Sequence, residues 1–312
     1  MKKPSYIKLY ASGELDERIK ALKKNLTECV LCPRCCKVNR VSGTSGFCKA
    51  SPKVTIASYK KHMWEEPPIS GTRGSGVIFF THCTARCVFC QNFYFSQLNT
   101  GFELTEKELA RIMLRIKKWG CHNINLVSPT QYLPHIISAL KIAIQEGLDI
   151  PLLFNSGGYE SVETLQLLDG IIDIYLPDMK YSNDTIAHKL SAFKDYVSSN
   201  RSAVSEMFRQ VGILELDEDK TAQKGLIIRH LVLPGGMAGT KETLEFIAKN
   251  ISKEAHISLM DQYFPEYNAW KYKEMNRAIS KEEYKSAIDY FHECGLENGW
   301  IQEHMKKQER TD

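Results

Sequence analysis

Three cysteines lie close together in one short stretch of the chain: Cys83, Cys87 and Cys90. The apolar run over 77–80 precedes them and predicts a β-strand, so the cysteines occupy the loop after this strand. Cysteine thiolates are the protein ligands of iron–sulfur clusters, and a cubane cluster normally takes four of them. Three thiolates would therefore leave one iron free for a ligand from outside the protein. A zinc loop or three unrelated thiols are the alternatives, but structural zinc sites take four protein ligands.

A second group of cysteines lies nearer the start of the chain, in a segment with neither helical nor strand periodicity. Its members are Cys29, Cys32, Cys36 and Cys48. Four thiolates are a complete ligand set for either a zinc ion or a cubane iron–sulfur cluster. Cys35 could take the place of Cys36, since adjacent residues rarely both bind one metal centre. Free thiols in an irregular loop are the alternative interpretation of this segment.

The composition is that of a globular protein, with 43% hydrophobic and 25% charged residues in a chain of 312. This length accommodates one large α/β barrel or two ordinary domains. The net charge of +4 is small and the sequence has no basic patch with interleaved aromatic residues, so a nucleic-acid partner is not expected. No apolar run approaches the length of a membrane span, and we predict no signal peptide. Ten cysteines without a secretory signal are more typical of metal binding than of disulfides, which predicts a cytoplasmic protein without a membrane partner.

Predicted strands and helices alternate from residue 76 onward. The strands are predicted over 76–82, 123–127, 151–154, 171–176, 226–233 and 257–260. Capping boxes at Thr105-x-x-Glu108 and Ser280-x-x-Glu283 mark the starts of two helices. Strands that alternate with helices indicate a parallel sheet. We therefore predict an α/β fold, a partial (β/α)6 TIM-type barrel with an N-terminal cysteine-rich segment.

This fold divides the chain into three predicted parts. Residues 1–72 form the cysteine-rich, metal-binding segment, in which an amphipathic helix over 15–26 precedes the first cysteine. Residues 73–300 form the core barrel, and residues 301–312 form a polar C-terminal tail.

Polar and glycine-rich segments follow the predicted strands. They are the cysteine loop at 83–90, Ser128-Pro129-Thr130, Asn155-Ser156-Gly157-Gly158, Asp178-Met179-Lys180 and Arg229-His230. Ligands of parallel α/β folds bind at the carboxyl ends of the strands, so these segments should converge on one mouth. Asp178 and Lys180 should face the same side of their strand, with a solvated salt bridge as the alternative. Arg229 and His230 are adjacent, so only one can point into the barrel, and we favour His230.

Phe89 stands directly before the third cysteine, so the loop has the pattern C-x3-C-x-aromatic-C and resembles the radical S-adenosylmethionine (SAM) superfamily. In that superfamily the open iron binds the amino and carboxylate groups of SAM. An electron from the cluster cleaves SAM to methionine and a 5′-deoxyadenosyl radical. The resemblance therefore implies a [4Fe–4S] cluster at Cys83, Cys87 and Cys90, with SAM as a second cofactor.

The strand-end segments are similar to those of pyruvate formate-lyase activating enzymes, which act on glycyl-radical proteins. Asp178-Met179-Lys180 is similar to that family's Asp-x-Lys pair, which contacts SAM, and 229–235 is similar to its fifth-strand motif. The N-terminal cysteines, Asn39-Arg40, the segment 262–265 and the last helix are similar to the PflX-like iron–sulfur branch of these relatives. The resemblance to that branch covers most of the chain.

One segment departs from the pattern of the activating enzymes. These enzymes usually end strand two with Gly-Gly-Glu, which meets the amino group of SAM, whereas this chain has Ser128-Pro129-Thr130. Thr130 offers a hydroxyl and Ser128 a carbonyl oxygen, but the segment contains no carboxylate. Asn155 and Ser156 are expected at the ribose hydroxyls of SAM. The residues implied to bind SAM are Ser128, Thr130, Asn155, Ser156, Asp178, Lys180 and His230.

The resemblance implies an oxidoreductase that reductively cleaves SAM and abstracts hydrogen from an unknown substrate. A glycyl-radical protein, another protein, an RNA and a small metabolite are the substrate classes left open. A flavodoxin or ferredoxin is the expected reductant, and a protein substrate would be a further partner. The rival functions are a non-catalytic electron-transfer protein with two clusters and a zinc-dependent binding module. Electron transfer needs no SAM contacts, so Asp178, Lys180 and Asn155 argue against the first rival.

The N-terminal cysteines can be tested by metal analysis. In a variant with Cys83, Cys87 and Cys90 replaced by alanine, anaerobic reconstitution with iron and sulfide should leave about four irons per chain, because the remaining group can hold one cubane cluster. About one zinc per chain would instead indicate a structural zinc site. A chain that retains neither metal would contradict the assignment of the four N-terminal cysteines.

Overall fold

The computed structural model describes residues 3–302 of the chain. Its strands are β1 (Val54–His62), β2 (Ser75–Phe80), β3 (Phe102–Leu104), β4 (Ile124–Val127), β5 (Leu152–Ser156), β6 (Ile174–Pro177), β7 (Glu215–Leu216), β8 (Ala222–Leu231), β9 (His256–Met260) and β10 (Gly299–Ile301). Its α-helices are α1 (Tyr6–Ser12), α2 (Glu14–Lys24), α3 (Pro67–Ser70), α4 (Phe93–Ser96), α5 (Glu106–Lys118), α6 (Leu133–Gln145), α7 (Val162–Gln166), α8 (Asp184–Ser191), α9 (Tyr196–Val211), α10 (Thr240–Phe246) and α11 (Lys281–Glu293).

The strands form one mostly parallel sheet in the order β10-β9-β8-β6-β5-β4-β2-β1-β3, with β7 paired to β8. The six predicted strands are β2, β4, β5, β6, β8 and β9, and each runs parallel to its neighbour in this order. Because helices follow these strands along the chain, the alternation produces the α/β partial barrel that the sequence predicts. The path ends at β3 and β10, so the barrel is open.

Four further strands join the sheet without a clear signal in the sequence. β1 is antiparallel to β2 and β3, β7 is antiparallel to β8, and β10 is parallel to β9. Three of the four are only two or three residues long, too short for alternation to show. The boundary predicted after residue 72 separates β1 from its partner β2, so the cysteine-rich segment contributes a strand to the barrel sheet. Of the predicted tail, residues 303–312 lie outside the described residues.

The capping boxes form as predicted. The Thr105 hydroxyl accepts the Glu108 N–H at 3.2 Å, and the Glu108 carboxylate accepts the Thr105 N–H at 2.8 Å. Ser280 and Glu283 form the same pair of bonds at the start of α11. The helix predicted over 15–26 is α2. Across residues 3–302, no helix has the length and apolar character needed to cross a membrane.

The segment between β1 and β2 fills the amino end of the barrel. Ile69 of α3 packs in one buried cluster with inward-facing residues of three strands: Leu153, Ile174, Leu176 and Ile227. The side chain of Asn123, directly before β4, donates to the Ile69 carbonyl at 2.9 Å. The residues before β2 are therefore part of the barrel core.

A buried ion network joins this segment to β8. Arg229 donates to both carboxylate oxygens of Glu66 at 2.7 Å and to Glu65 at 2.5 Å. Burial raises the pKa of Glu66, but Arg229 lowers it by more, so the carboxyl group stays ionised. Removal of one partner from such a buried pair typically costs about 3–5 kcal/mol, because the other charge is left without compensation. The network therefore holds the N-terminal segment inside the barrel.

Candidate active site at the carboxyl ends of the strands

The loop after β2 carries the three barrel cysteines and begins at a conformationally restricted residue. His82, directly before the first cysteine, has a φ of 65°, in the left-handed region that few non-glycine residues adopt. Its Nδ1 lies 2.8 Å from the Thr81 hydroxyl and 2.9 Å from the Tyr132 hydroxyl. Burial, together with the charge of Arg86, lowers the pKa of His82 to about 4. A neutral imidazole therefore anchors the start of the cysteine loop.

Hydrogen-bond donors surround the sulfur atoms of this loop. The Ser191 hydroxyl donates to Cys87 Sγ at 3.0 Å, and a backbone N–H of the loop donates to Cys83 Sγ at 3.4 Å. Cys90 Sγ lies 3.2 Å from the Ser96 hydroxyl. Hydrogen bonds to sulfur are among the means by which proteins tune iron–sulfur clusters. The surroundings of the three thiols are therefore those of a cluster site.

Burial favours the protonated thiols of Cys87 and Cys90 while no metal is bound. It raises the pKa of Cys87 to about 12, even though the charge of Lys180 acts in the opposite direction. Burial also raises the pKa of Cys90. A metal ligand must be a thiolate, so metal binding at this loop has to release protons.

A cavity of about 200 Å³ joins the cysteine loop to the carboxyl ends of β6, β8 and β9. Its walls include Cys87, Cys90, Asp178, Lys180, Arg229, Gln262 and Tyr263. Asp178 and Lys180 face the same side, as predicted, and the Lys180 ammonium donates to the Asp178 carboxylate at 2.5 Å. Burial lowers the pKa of Lys180, but Asp178 and the sulfur of Cys87 raise it by more, so the ammonium stays charged. A larger cavity, about 580 Å³, lies between α10 and α11, and its lining includes none of the predicted site residues.

The three thiols fit an iron–sulfur cluster better than a single ion. Within residues 3–302, no three His, Cys, Asp or Glu side chains lie close enough together to hold one metal ion. A cubane cluster binds each cysteine through a different iron, so its ligands are spread more widely than those of one zinc ion. Cys87 and Cys90 also border the cavity that contains Lys180, which leaves room for a further ligand. The residues present therefore fit a cluster with a further ligand at its open iron.

The ends of β4 and β5 lie side by side and share a buried carboxylate. Ser128 has a φ of 54°, and its N–H donates to the Asn155 carbonyl at 2.9 Å. The hydroxyls of Thr130 and Ser156 donate to the two carboxylate oxygens of Glu160 at 2.8 and 3.0 Å. Glu160 is 1% exposed, and burial raises its pKa to about 7 although both hydrogen bonds lower it. The loop after β5 thus places a carboxylate beside the segment that lacks the usual Gly-Gly-Glu.

The structure reverses the predicted orientation of the fifth-strand pair. Arg229 lines the cavity, whereas His230 is fully buried and does not line it. His230 Nδ1 lies 2.7 Å from the Met179 carbonyl, and its Nε2 lies 2.9 Å from the Thr240 hydroxyl. Burial lowers the pKa of His230 to about 4, so this ring is neutral. His230 connects the segment after β6 to α10, and Arg229 occupies the position at the barrel mouth that the sequence analysis assigns to His230.

Cys29, Cys32, Cys36 and Cys48 are partly buried, whereas Cys35 is exposed. Burial raises the pKa of Cys32, and the nearby sulfurs of Cys48, Cys29 and Cys36 raise it further. This arrangement favours Cys36 over Cys35 as the fourth ligand. The metal itself stays a prediction.

Two arginines connect the N-terminal cysteine group to the barrel cysteine loop. Arg34 Nε donates to the Thr84 carbonyl at 2.8 Å. Arg86 Nη1 donates to the Cys83 carbonyl at 3.1 Å, and its Nη2 donates to the Phe47 carbonyl at 2.8 Å. Both guanidinium groups also lie over the Phe47 ring. The two groups of cysteines are therefore held against each other at the mouth of the barrel.

Several residues of this site were not found from the sequence. Glu160 had a signal, because it is the only charged residue between 151 and 162, next to a strand-end segment already singled out. Ser96 and Ser191 had none, since serine is common and their contacts with Cys90 and Cys87 depend on how distant segments pack.

The buried Glu160 carboxyl predicts a pH dependence of stability. Its folded pKa lies above the ordinary value, so between about pH 4.5 and 7 the folded protein keeps a proton that the unfolded chain loses. The free energy of unfolding should therefore fall as the pH rises through this window. In the Glu160→Gln variant, the free energy of unfolding should change less with pH across this window. Above pH 7 it should exceed that of the parent by on the order of 2–3 kcal/mol.

Urea denaturation of the metal-free protein across this window would measure the effect. Glu163→Gln is the matched control, because Glu163 is an exposed residue of α7. Parallel curves for the parent and Glu160→Gln would show that the carboxyl group is ionised in the folded protein and would contradict the prediction.

Comparison with known proteins agrees with this geometry. The family model of the radical SAM superfamily matches residues 77–216, from the strand before the cysteine loop to β7. The uncharacterized protein MJ0674 of Methanocaldococcus jannaschii is 32% identical over 293 residues, which cover 91% of this chain and 80% of that protein.

Two solved structures of HydG, a maturase of the [FeFe]-hydrogenase, also match. One has a TM-score of 0.47 at 13% identity, covering 70% of this chain and 48% of that chain. The other, from Carboxydothermus hydrogenoformans, has a TM-score of 0.46 at 15% identity, covering 69% of this chain and 49% of that chain. This chain thus spans about half the length of either structure. The family match shows that residues 77–216 form a domain of the radical SAM superfamily, whose members are enzymes with a [4Fe–4S] cluster and SAM as cofactors.

Proposed function

We propose that this protein reductively cleaves SAM and abstracts a hydrogen atom from a substrate, in a manner similar to pyruvate formate-lyase activating enzymes. The proposal rests on one observation: Cys87 and Cys90 share a cavity with the ion pair of Asp178 and Lys180. When bound, the cluster and SAM would supply the 5′-deoxyadenosyl radical. The residues of the chain would bind and orient these groups and exclude water.

Lys180 is proposed to bind the carboxylate of SAM. Its ammonium is charged, partly buried and held in place by Asp178, which leaves further N–H groups for a ligand. Cys83, Cys87 and Cys90 would hold three irons of the cluster, and two of these cysteines, Cys87 and Cys90, border the same cavity as Lys180. Lys180 therefore lies where it can set the distance between SAM and the cluster.

The ends of β4 and β5 are proposed to hold the amino and ribose groups of SAM. Ser128, Thr130, Asn155 and Ser156 lie on these adjacent strand ends, and two of them orient Glu160 through hydroxyl hydrogen bonds. The Glu160 carboxylate would accept from the SAM amino group, as the missing Gly-Gly-Glu carboxylate does in the activating enzymes. A positive ligand group there would also lower the pKa of Glu160 and favour its ionised form.

Apolar residues would keep water out of the reacting region. Phe89 and Tyr263 pack edge to face with ring centroids 5.6 Å apart, and Leu231 and Met260 complete the apolar part of the cavity wall. A radical that abstracts hydrogen must be protected from side reactions, which a water-excluding wall favours. These residues are proposed to define the substrate side of the cavity.

The similarity to the PflX-like branch extends the proposal to the N-terminal segment. We propose that Cys29, Cys32, Cys36 and Cys48 hold a second metal centre, a [4Fe–4S] cluster or zinc. A flavodoxin or ferredoxin would be the reductant, and a protein is one candidate substrate. A cytoplasmic location is proposed because a cluster with an open iron is labile to oxidants.

Product analysis tests the proposed activity. Anaerobically reconstituted protein, reduced in the presence of SAM, should form 5′-deoxyadenosine, and a variant with Cys83, Cys87 and Cys90 replaced by alanine should form none, because no open iron remains. Cys121→Ala is the control, since this buried cysteine belongs to neither group. Equal product from the triple variant and the parent would contradict the proposal.

SAM affinity tests the assignment of Lys180. Loss of one charged hydrogen-bonded contact typically costs about 1.5–3 kcal/mol, so Lys180→Ala should bind SAM roughly ten- to a hundredfold more weakly. Equilibrium binding to the reconstituted protein gives the affinity, and Lys107→Ala, at an exposed position of α5, is the control. Unchanged affinity would show that Lys180 only pairs with Asp178. If Lys180→Ala does not fold, Lys180→Gln keeps a donor beside Asp178 and allows the same measurement.

A further inference from the structure

Arg40 is a buried arginine whose guanidinium group is incompletely paired. The residue is 1% exposed, and its Nη1 donates to the Gln131 carbonyl at 2.6 Å. Its Nε and Nη2 are also buried, and neither has a hydrogen-bond partner among the described residues. A buried charged group that lacks partners is strongly destabilising. A bound anion that accepts from Nε and Nη2 would therefore stabilise the Arg40 guanidinium group.

The surroundings of Arg40 identify where that anion would lie. Burial raises the pKa of the Cys48 thiol, and the backbone of Ala50 and the charge of Arg40 partly oppose this rise, so the guanidinium lies near this cysteine. Cys48 in turn is near Cys29, Cys32 and Cys36. Arg40 thus borders the group of four N-terminal cysteines.

The segment that contains these cysteines also lacks regular secondary structure to stabilise it. Residues 29–53 contain no helix or strand, although Leu31, Arg40 and Ala50 are buried. Irregular segments of this length within a compact fold are uncommon unless they serve a function. Gly46 lies so close to Cys36 that an added Cβ would sit 3.0 Å from its Sγ. The segment has the features expected of one that is organised around a bound group.

We propose that Arg40 is the charge-balancing residue of a redox-active [4Fe–4S] cluster at Cys29, Cys32, Cys36 and Cys48, and that its Nε–H and Nη2–H donate to the sulfurs of this cluster. The inference rests on the proposed second metal centre. Four thiolates give such a cluster a net negative charge that increases when it accepts an electron. A cation in contact with it therefore stabilises the reduced state more than the oxidised state and raises the reduction potential.

The position of Arg40 links this cluster to the mouth of the barrel. The backbone carbonyl of Gln131 accepts from Arg40, and the side-chain amide of the same residue donates to the Thr81 and Ser128 carbonyls at 2.9 and 2.8 Å. Thr81 directly follows β2 and precedes His82 of the barrel cysteine loop, and Ser128 directly follows β4. Arg40 would therefore hold the N-terminal cluster against the elements that carry the proposed SAM site. A zinc ion has no redox chemistry, so the proposal distinguishes the two metals left open above.

A redox titration followed by electron paramagnetic resonance tests the proposal. It uses the full chain with Cys83, Cys87 and Cys90 replaced by alanine, so that the signal belongs to the N-terminal cluster. Arg40→Gln should lower the midpoint potential by at least about 59 mV. For a one-electron couple, this shift reduces the ratio of reduced to oxidised cluster about tenfold at a fixed potential. Arg40→Lys, which keeps the charge, should restore a large part of this shift. Arg73→Gln is the control, because Arg73 Nε donates to the Gly120 carbonyl and borders no cysteine group.

Thermal unfolding provides a readout that does not depend on the potential. In the metal-free protein, Arg40→Gln should not lower the melting temperature, because it removes an uncompensated buried charge. In the iron-loaded protein the same substitution should lower it, because a paired charge is lost. Equal effects in the two states would overturn the proposal.

The outcomes separate this inference from the proposed second centre. If the N-terminal cysteines load iron but Arg40→Gln leaves the potential unchanged, the role of Arg40 is overturned and the cluster stands. If they bind zinc or no metal in the parent, both the redox cluster and the role of Arg40 are overturned. If the Arg40→Gln variant does not bind iron, the Arg40→Lys variant distinguishes the two explanations. Iron binding by Arg40→Lys would support a requirement for positive charge at this position, and a lack of iron binding would contradict it.

Discussion

Burial of cysteine sulfur is the constraint on which the functional part of this molecule depends. Cys87, Cys90, Cys32 and Cys48 all lie where water cannot stabilise a thiolate, so burial raises the pKa of each. Such sulfurs stay neutral until a metal replaces the proton, and the chain around them has little regular structure of its own. Binding of the proposed metal centres would therefore be coupled to the conformation of both cysteine segments, as in other proteins whose metal ligands come from irregular loops.

Positive charge is distributed in a way that suits anionic centres. Arg34 and Arg86 bind backbone carbonyls of the opposite cysteine segment, which leaves their charge at the contact between the two groups. Lys180 lies beside the barrel cysteines with Asp178 as its counter-ion. Three cationic side chains near sulfur would be unfavourable to one another without negative charge between them, which metal-bound thiolates supply.

The Arg229 network explains how the N-terminal segment can carry a centre next to the barrel. Glu65 and Glu66 lie between β1 and β2, and their pairing with Arg229 fixes this segment within the barrel interior. The cysteine-rich residues before β1 are thereby anchored on one side by the sheet and on the other by the barrel mouth. Glu160 is a second buried carboxyl group, and it lies at the barrel mouth. Within the described residues it has no cationic partner, so a positively charged ligand would favour its ionised form.

The sequence by itself determined the parts of the structure that depend on neighbouring residues. Hydrophobic periodicity and capping boxes located six parallel strands and most helices, because these signals act within a few residues. The spacing of Cys83, Cys87 and Cys90 indicated the cluster for the same reason. Only the tertiary structure decided that Arg229 and not His230 faces the cavity, since a shift of one residue at the end of a strand exchanges its faces. It also decided that Glu160 accepts from Thr130 and that Arg40 donates to Gln131, because these contacts join residues 30 and 91 positions apart, and no local pattern records which distant elements pack together.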